Sequence, residues 1–204
     1  MLDQLIPFLL ASILLTISPG PDIIYVLIQS ISNGKKAGLV TSLGLVSGIL
    51  VHTSLVAFGV SVLIKESETI FLIIKIFGAI YLFYLAFQVW KSKSDISLDH
   101  DKVNINNTTS LFRKGFIMNV LNPKVTIFFL AFFPGFLWDT EGNLIFQFYF
   151  LGFIFMLQAL LIFGTTALLA GKTFDFLQNY PASGVVLRWT QVAIFIIIGF
   201  LILL

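Results

Sequence analysis

Ser18-Pro19-Gly20-Pro21-Asp22 breaks the first apolar stretch of the chain, and Asn122-Pro123-Lys124 breaks the fourth. Pro19 offers no N–H to the carbonyl of Leu15, Pro21 none to that of Ile17 and Pro123 none to that of Asn119, while Gly20 frees the backbone between the first two prolines. Each break also carries an ionisable residue, Asp22 or Lys124. Inside a bilayer a released carbonyl or a charge finds no water. Helices broken at membrane depth persist mainly where they line a cavity or a binding site, so the two breaks point to a transporter.

The rest of the chain has the composition this reading needs. Of its 204 residues 58% are hydrophobic, only 11% are charged and 23 are Phe, and the mean hydropathy is +1.00. A soluble core of this size cannot bury so much apolar surface. Six apolar stretches are readable, at residues 5–29, 37–64, 70–90, 115–137, 144–170 and 185–204, each near the ~20 residues of a spanning helix. The expected fold is all-α, a single polytopic membrane domain over residues 1–204 with six transmembrane helices. Met1-Leu2-Asp3-Gln4 is acidic where a secretory signal is basic, so the first stretch reads as a retained helix. The absence of cysteine removes any disulfide framework or thiolate metal site, and a net charge of only +2 argues against nucleic acid as a partner.

Basic residues set the orientation. Lys35 and Lys36, then Lys91, Lys93, Lys102, Arg113 and Lys114, then Lys172 and Arg188 follow the first, third and fifth stretches and account for nine of the twelve Lys and Arg. Those loops are expected in the cytosol and both termini outside. The opposite loops hold Lys65, Glu66, Glu68, Asp139 and Glu141, with no basic excess. The polar segment 92–110 reads as a cytoplasmic linker between 1–91 and 111–204. Sliding the second half back by 104 positions sets Asn122-Pro123 on Ser18-Pro19 and Gly152 on Gly48. Three helices per half is an odd number, so the halves are expected to be inverted repeats. Gly20 lies ten residues before Ser30 and Pro123 ten after Arg113, which puts each break roughly 15 Å from the cytosolic boundary, near the middle of a core about 30 Å thick.

Half-helices starting at Pro21 and Pro123 present free N–H groups and a positive dipole end, suited to a carboxylate. Released carbonyls and Asp22 suit an ammonium group or a proton, and Lys124, Asn119 and Asn122 add donors. The expected substrate site is therefore Ser18, Pro19, Gly20, Pro21, Asp22, Asn119, Asn122, Pro123 and Lys124, and the simplest ligand is a small zwitterion such as an amino acid. Asp22 and Lys124 are alternatively a structural ion pair, because a charge at mid-membrane needs relief. His52, halfway along the second stretch, is either a proton relay or a hydrogen-bonded packing residue. Gly44, Ser47, Gly48 and Gly59 give that stretch a small-residue face for close helix contact. Lys75 snorkels. Gln158 either bonds across the bundle or faces the cavity.

Enzyme signatures are scarce. Gly171-Lys172-Thr173 lacks the earlier glycine of a phosphate loop, where Thr166 stands, and no His-Glu-x-x-His or Gly-x-Ser-x-Gly occurs. No cofactor, catalytic residue or metal site is expected. Two other readings stay in view: efflux of a metal cation or another small metabolite, poorly furnished with ligands here, and an intramembrane enzyme or regulatory membrane subunit.

The pattern resembles the LysE/RhtB family of amino-acid exporters. The likeness is carried by Ser18-Pro19-Gly20-Pro21-Asp22 with Tyr25-Val26, by Gly34, Gly38, Gly44, His52, Lys75, Gly78 and Tyr81-Leu82, and then by Phe112, Gly115, Asn119, Asn122-Pro123-Lys124, Phe128-Phe129 and Pro134-Gly135-Phe136. Gly135 departs where a Gln is common, and Ala86 where a Gly is. The resemblance implies an inner (plasma) membrane protein of six helices that exports amino acids using the proton gradient; the residues themselves make Asp22 the expected proton-coupling residue in an antiport of an amino acid or close derivative, with His52 the next candidate. Its partners would be the substrate, protons and the lipid bilayer, with room for a homodimer.

Overall fold

The computed structural model describes residues 2–62, 68–92, 107–139, 142–180 and 182–203, and among these every regular element is helical. The first apolar stretch is two helices, α1 (Leu2–Ile17) and α2 (Pro21–Asn33), bent by 55° at the break. Pro21 opens α2, where a missing N–H costs no intrahelical bond. Helix α2 stops at Gly34, whose φ of 85° suits only glycine. The chain then enters α3 (Lys35–Leu55), which continues through a π-helical turn at Val56–Val60.

Next comes α4 (Glu68–Lys91). The fourth stretch is again broken, into α5 (Thr108–Val120) and α6 (Pro123–Ile127), and the latter is prolonged by a π-helical turn at Phe128–Phe132 and a 3-10 turn at Phe133–Phe136, with a bend of 47°. Helices α7 (Leu144–Leu168), α8 (Ala170–Asn179) and α9 (Ser183–Leu203) complete the chain. Among the described residues four helices are long and apolar enough to cross a membrane, and counting each bent pair as one span brings the number to six. This is a polytopic all-α membrane protein.

Two boundaries differ from expectation. Helix α5 begins at Thr108, because Asn107 Oδ1 accepts the Thr109 N–H at 2.9 Å and caps it, so 108–110 of the expected linker are helical. The stretch 93–106 lies outside the described residues, as do 63–67 and 140–141 of the opposite loops. Helix α8 occupies what reads in the sequence as loop. It is too polar to register as a span and too short to be found from its periodicity.

Apolar side chains such as Leu10, Leu50, Phe77, Leu161 and Phe200 face outward, and polar ones such as Ser12, Thr16, Asp22, His52, Asn119 and Gln158 are buried. That is the distribution expected where lipid is the solvent. Helix α3 lies at the centre, against α2, α5 and α7, and α4 packs along α9. Glycines set the close crossings: a Cβ on Gly115 would stand 2.5 Å from the Thr41 carbonyl oxygen, and one on Gly44 would overlap the Phe112 carbonyl. The expected small-residue face is therefore real at Gly44 and Gly48. It does not extend to Gly59, which meets nothing within 4 Å, or to Ser47, whose hydroxyl donates back to the Leu43 carbonyl.

Candidate binding site at the helix breaks

The two breaks, about a hundred residues apart in sequence, meet in space. Asn119 Nδ2 on α5 donates to Asp22 Oδ2 on α2 at 3.0 Å. Lys124 Nζ, from the first turn of α6, donates to the carbonyls of Leu15 at 3.1 Å and Ser18 at 3.0 Å, both at the end of α1. The backbone explains why. Pro19 leaves the Leu15 carbonyl without its helical donor, and the end of a helix carries partial negative charge. Lysine supplies what proline withholds.

The hydrogen bonds of Lys124 Nζ go to carbonyls and not to Asp22, and Asp22 Oδ1 is buried without a hydrogen-bond partner. The expectation that a ligand ammonium finds the Leu15 carbonyl free is therefore not met in this conformation. The carbonyl released by Pro123 is also taken. Asn119 O lies 3.0 Å from His52 Nε2 and accepts the Asn122 N–H at 2.9 Å. His52 is buried with its ring tilted against Phe129.

Capping differs between the breaks. Asn122 Oδ1 accepts the Lys124 N–H at 3.0 Å, while Gly20 at the start of α2 has no side chain with which to cap. Gly20 also makes room: a Cβ there would stand 3.0 Å from Lys124 Nζ. Among the described residues the buried polar side-chain atoms left without a partner include, on the break residues and Gln158, Ser18 Oγ, Asp22 Oδ1, Asn119 Oδ1, Asn122 Nδ2 and Gln158 Oε1; Tyr25 Oη and Arg188 Nε are others. Three of the first five are acceptors of the kind an ammonium uses, and one is a donor suited to a carboxylate. In low-dielectric surroundings each unmade bond is costly, and Asp22 Oδ1 and Asn119 Oδ1 lie together where the breaks meet.

An enclosed cavity of about 20 Å³ touches Asp22, Asn119, Lys124, Leu15 and Thr16 on one side and Phe155, Ala159 and Phe163 of α7 on the other. That is room for roughly one water, so this conformation is closed around the site. Toward the start of α1 it is sealed by phenylalanines: Phe8 against Phe133 at 5.1 Å, Phe133 stacked on Phe129 at 4.4 Å, and Phe129 against Phe155 at 5.2 Å between ring centroids. Toward the end of α7 the packing is thinner. A groove of about 380 Å³ opens there between Ile17, Ile23, Thr165, Thr166, Leu169 and Thr173.

Residues of α7 and Thr16 were not expected in the site. Gln158 Nε2 donates to Thr16 Oγ1 at 2.9 Å, a bond across the bundle, while its Oε1 has no partner. Thr16 could have been noticed as a polar residue one turn before the break. Phe155, Ala159 and Phe163 carry no signal separating them from other apolar positions. Among the described residues no cluster of His, Cys, Asp or Glu has the make-up of a metal site.

The chain matches the family model described as LysE type translocator over residues 13–204. It is 34% identical over 137 residues to the homoserine/homoserine lactone efflux protein of Salmonella typhimurium, a span covering 67% of this chain and 66% of that one. An uncharacterized membrane protein of Vibrio cholerae is 30% identical over 164 residues (80% and 79% of the two chains), and the uncharacterized membrane protein YrhP of Bacillus subtilis is 32% identical over 170 residues (79% and 80%). No solved structure matches the chain.

Proposed function

The chain belongs to the LysE type translocator family and is a multi-pass membrane transporter, and from that premise we propose that it exports an amino acid or a close derivative across the plasma membrane in exchange for protons. The observation that carries this reading is the meeting of the breaks: Asn119 bonded to Asp22 and Lys124 bonded to the end of α1, around a closed cavity lined by Asp22 and Asn119, each with an unpartnered acceptor oxygen. Asp22 Oδ1 and Asn119 Oδ1 receive the substrate ammonium. Asn122 Nδ2, the uncapped start of α2 and Lys124 receive the carboxylate.

Asp22 is the proton carrier in this account. Substrate and proton compete for it, each lowers the other's affinity, and antiport follows. His52 is the second proton-coupling candidate. The contact pattern supports two inverted repeats: α3 and α7, which correspond under the shift of 104 positions, pack on each other, as do α4 and α9, and α3 lies against α5 while α7 lies against α1 and α2. With the basic loops inside, the groove at the end of α7 faces the cytosol and the phenylalanine seal faces out. Rocking of one half against the other then opens the seal. Reporters active on one side of the membrane, fused to Leu204 and within 93–106, test the orientation; a cytosolic carboxyl terminus contradicts it.

Counterflow in proteoliposomes over a panel of amino acids tests the function itself. L-homoserine is the first member of the panel, because a relative is named for its efflux. Uptake of labelled substrate into preloaded vesicles is expected for at least one member and none in empty vesicles. Absence of counterflow for the whole panel contradicts the reading.

A further inference from the structure

Lys124 approaches the first break as a ligand would. Its ammonium sits 3.1 Å and 3.0 Å from the Leu15 and Ser18 carbonyls, on a helix end whose partial charge favours a cation, and it comes from the other half of the chain. Gly20 is the residue that admits it, since a Cβ there would stand 3.0 Å from Nζ. Beside it, Asp22 Oδ1 has no partner, and the adjoining cavity is too small for an amino acid.

We propose that the Lys124 ammonium is a stand-in for the substrate's own ammonium: it fills the Leu15 and Ser18 carbonyl pair in the empty protein and leaves that pair to the incoming amino group. The Leu15 carbonyl, released by Pro19, and the Ser18 carbonyl, at the break itself, cannot be left bare when water is expelled. With Lys124 on them and a proton on Asp22, the substrate-free carrier closes and returns. When substrate enters, its ammonium takes the carbonyl pair together with Asp22 Oδ1, and the displaced lysine turns to the carboxylate. One ammonium replaces another, so the first break stays satisfied in both the loaded and the empty crossing. This rests on the amino-acid reading above, and it adds that Lys124 governs the empty return in particular.

The consequence is a difference between two transport modes. Net efflux from loaded vesicles requires the empty return, whereas exchange of substrate for substrate does not. L-homoserine is the probe, with any other counterflow-positive amino acid replacing it. In Lys124→Met, which keeps length and removes charge, both modes weaken, and at saturating substrate net efflux falls at least about tenfold further than exchange, as expected for loss of a charge-assisted pair. Lys124→Arg keeps a cation in reach and holds the ratio of net efflux to exchange near that of the parent. Gly20→Ala presses on Nζ and shifts the ratio in the same direction as Lys124→Met, by less.

Equal loss of both modes in Lys124→Met, with no change of ratio in Gly20→Ala, overturns the proposal and leaves Lys124 as a carboxylate donor or a structural residue. If Lys124→Met does not elute as a folded protein in detergent, Gly20→Ala and Lys124→Arg decide alone: an unchanged ratio in the former contradicts the stand-in. Failure of the parent to exchange any amino acid instead contradicts the proposed function, which keeps the two failures apart.

Discussion

The two breaks use the same device and finish it differently. At the second, the chain satisfies its backbone: Asn122 caps the following turn, the Asn119 carbonyl takes the Asn122 N–H and faces His52, and the Thr126 hydroxyl closes on the Asn122 carbonyl at 3.1 Å, leaving only the side-chain atoms Asn119 Oδ1 and Asn122 Nδ2 without a partner. At the first, nothing local does so. Gly20 has no capping side chain, the end of α1 is held by a lysine from the other half, and Ser18 Oγ and Asp22 Oδ1 have no partner. A break that is closed on itself is a fixed platform, and one left open is a place where a ligand replaces missing bonds. Pro-Gly-Pro makes the opening and Asn-Pro supplies the platform.

The comparison fails first if the breaks are not held together by the α3 and α5 crossing. Gly115→Ala puts a Cβ 2.5 Å from a backbone oxygen that cannot step aside, and the expected loss is about 3 kcal/mol, the upper end of overpacking. Gly59→Ala, in open space, is the control. Thermal unfolding in detergent should separate the two clearly; equal melting would mean that this crossing does not set the geometry.

Asn119→Leu cuts the side-chain bond between the breaks and leaves the Asp22 carboxylate without its Asn119 donor, at a cost of roughly 1–3 kcal/mol. Transport should be lost with it. The exchanged pair Asp22→Asn with Asn119→Asp remakes a hydrogen bond, so stability should recover while transport does not, because the carboxylate has moved to the platform. Recovery of both would erase the distinction between the breaks.

His52→Gln keeps a donor for the Asn119 carbonyl and removes titration. If His52 only steadies the platform, transport driven by a pH gradient falls by less than about tenfold. A complete loss would move proton coupling to the second break. The smallest effect is expected for Asn122→Ala, which removes one cap worth about 1 kcal/mol and should lower the melting temperature slightly.

Much of this was legible in the sequence. Apolar length fixes the spans, and proline chemistry fixes where they break, because both depend on residues a few positions apart. The meeting of Asp22 with Asn119 was foreseen only as equal depth, since which polar atoms touch depends on the rotation of α2 and α5 about their axes. The place of Lys124 depends on the same rotation: the sequence shows which carbonyls proline releases, and not which donor reaches them. Thr16 and Phe155 entered the site through helix packing that no local pattern encodes, and α8 was missed because a short amphipathic helix resembles a polar loop.

The central claim is that the open break, through Asp22, couples substrate to protons, and Asp22→Asn tests it most directly. The substitution keeps size and removes titration. In proteoliposomes with an imposed pH gradient, the parent is expected to concentrate its amino acid and Asp22→Asn to do no more than equilibrate it, with both proteins inserted equally. Accumulation by Asp22→Asn equal to that of the parent would contradict the account.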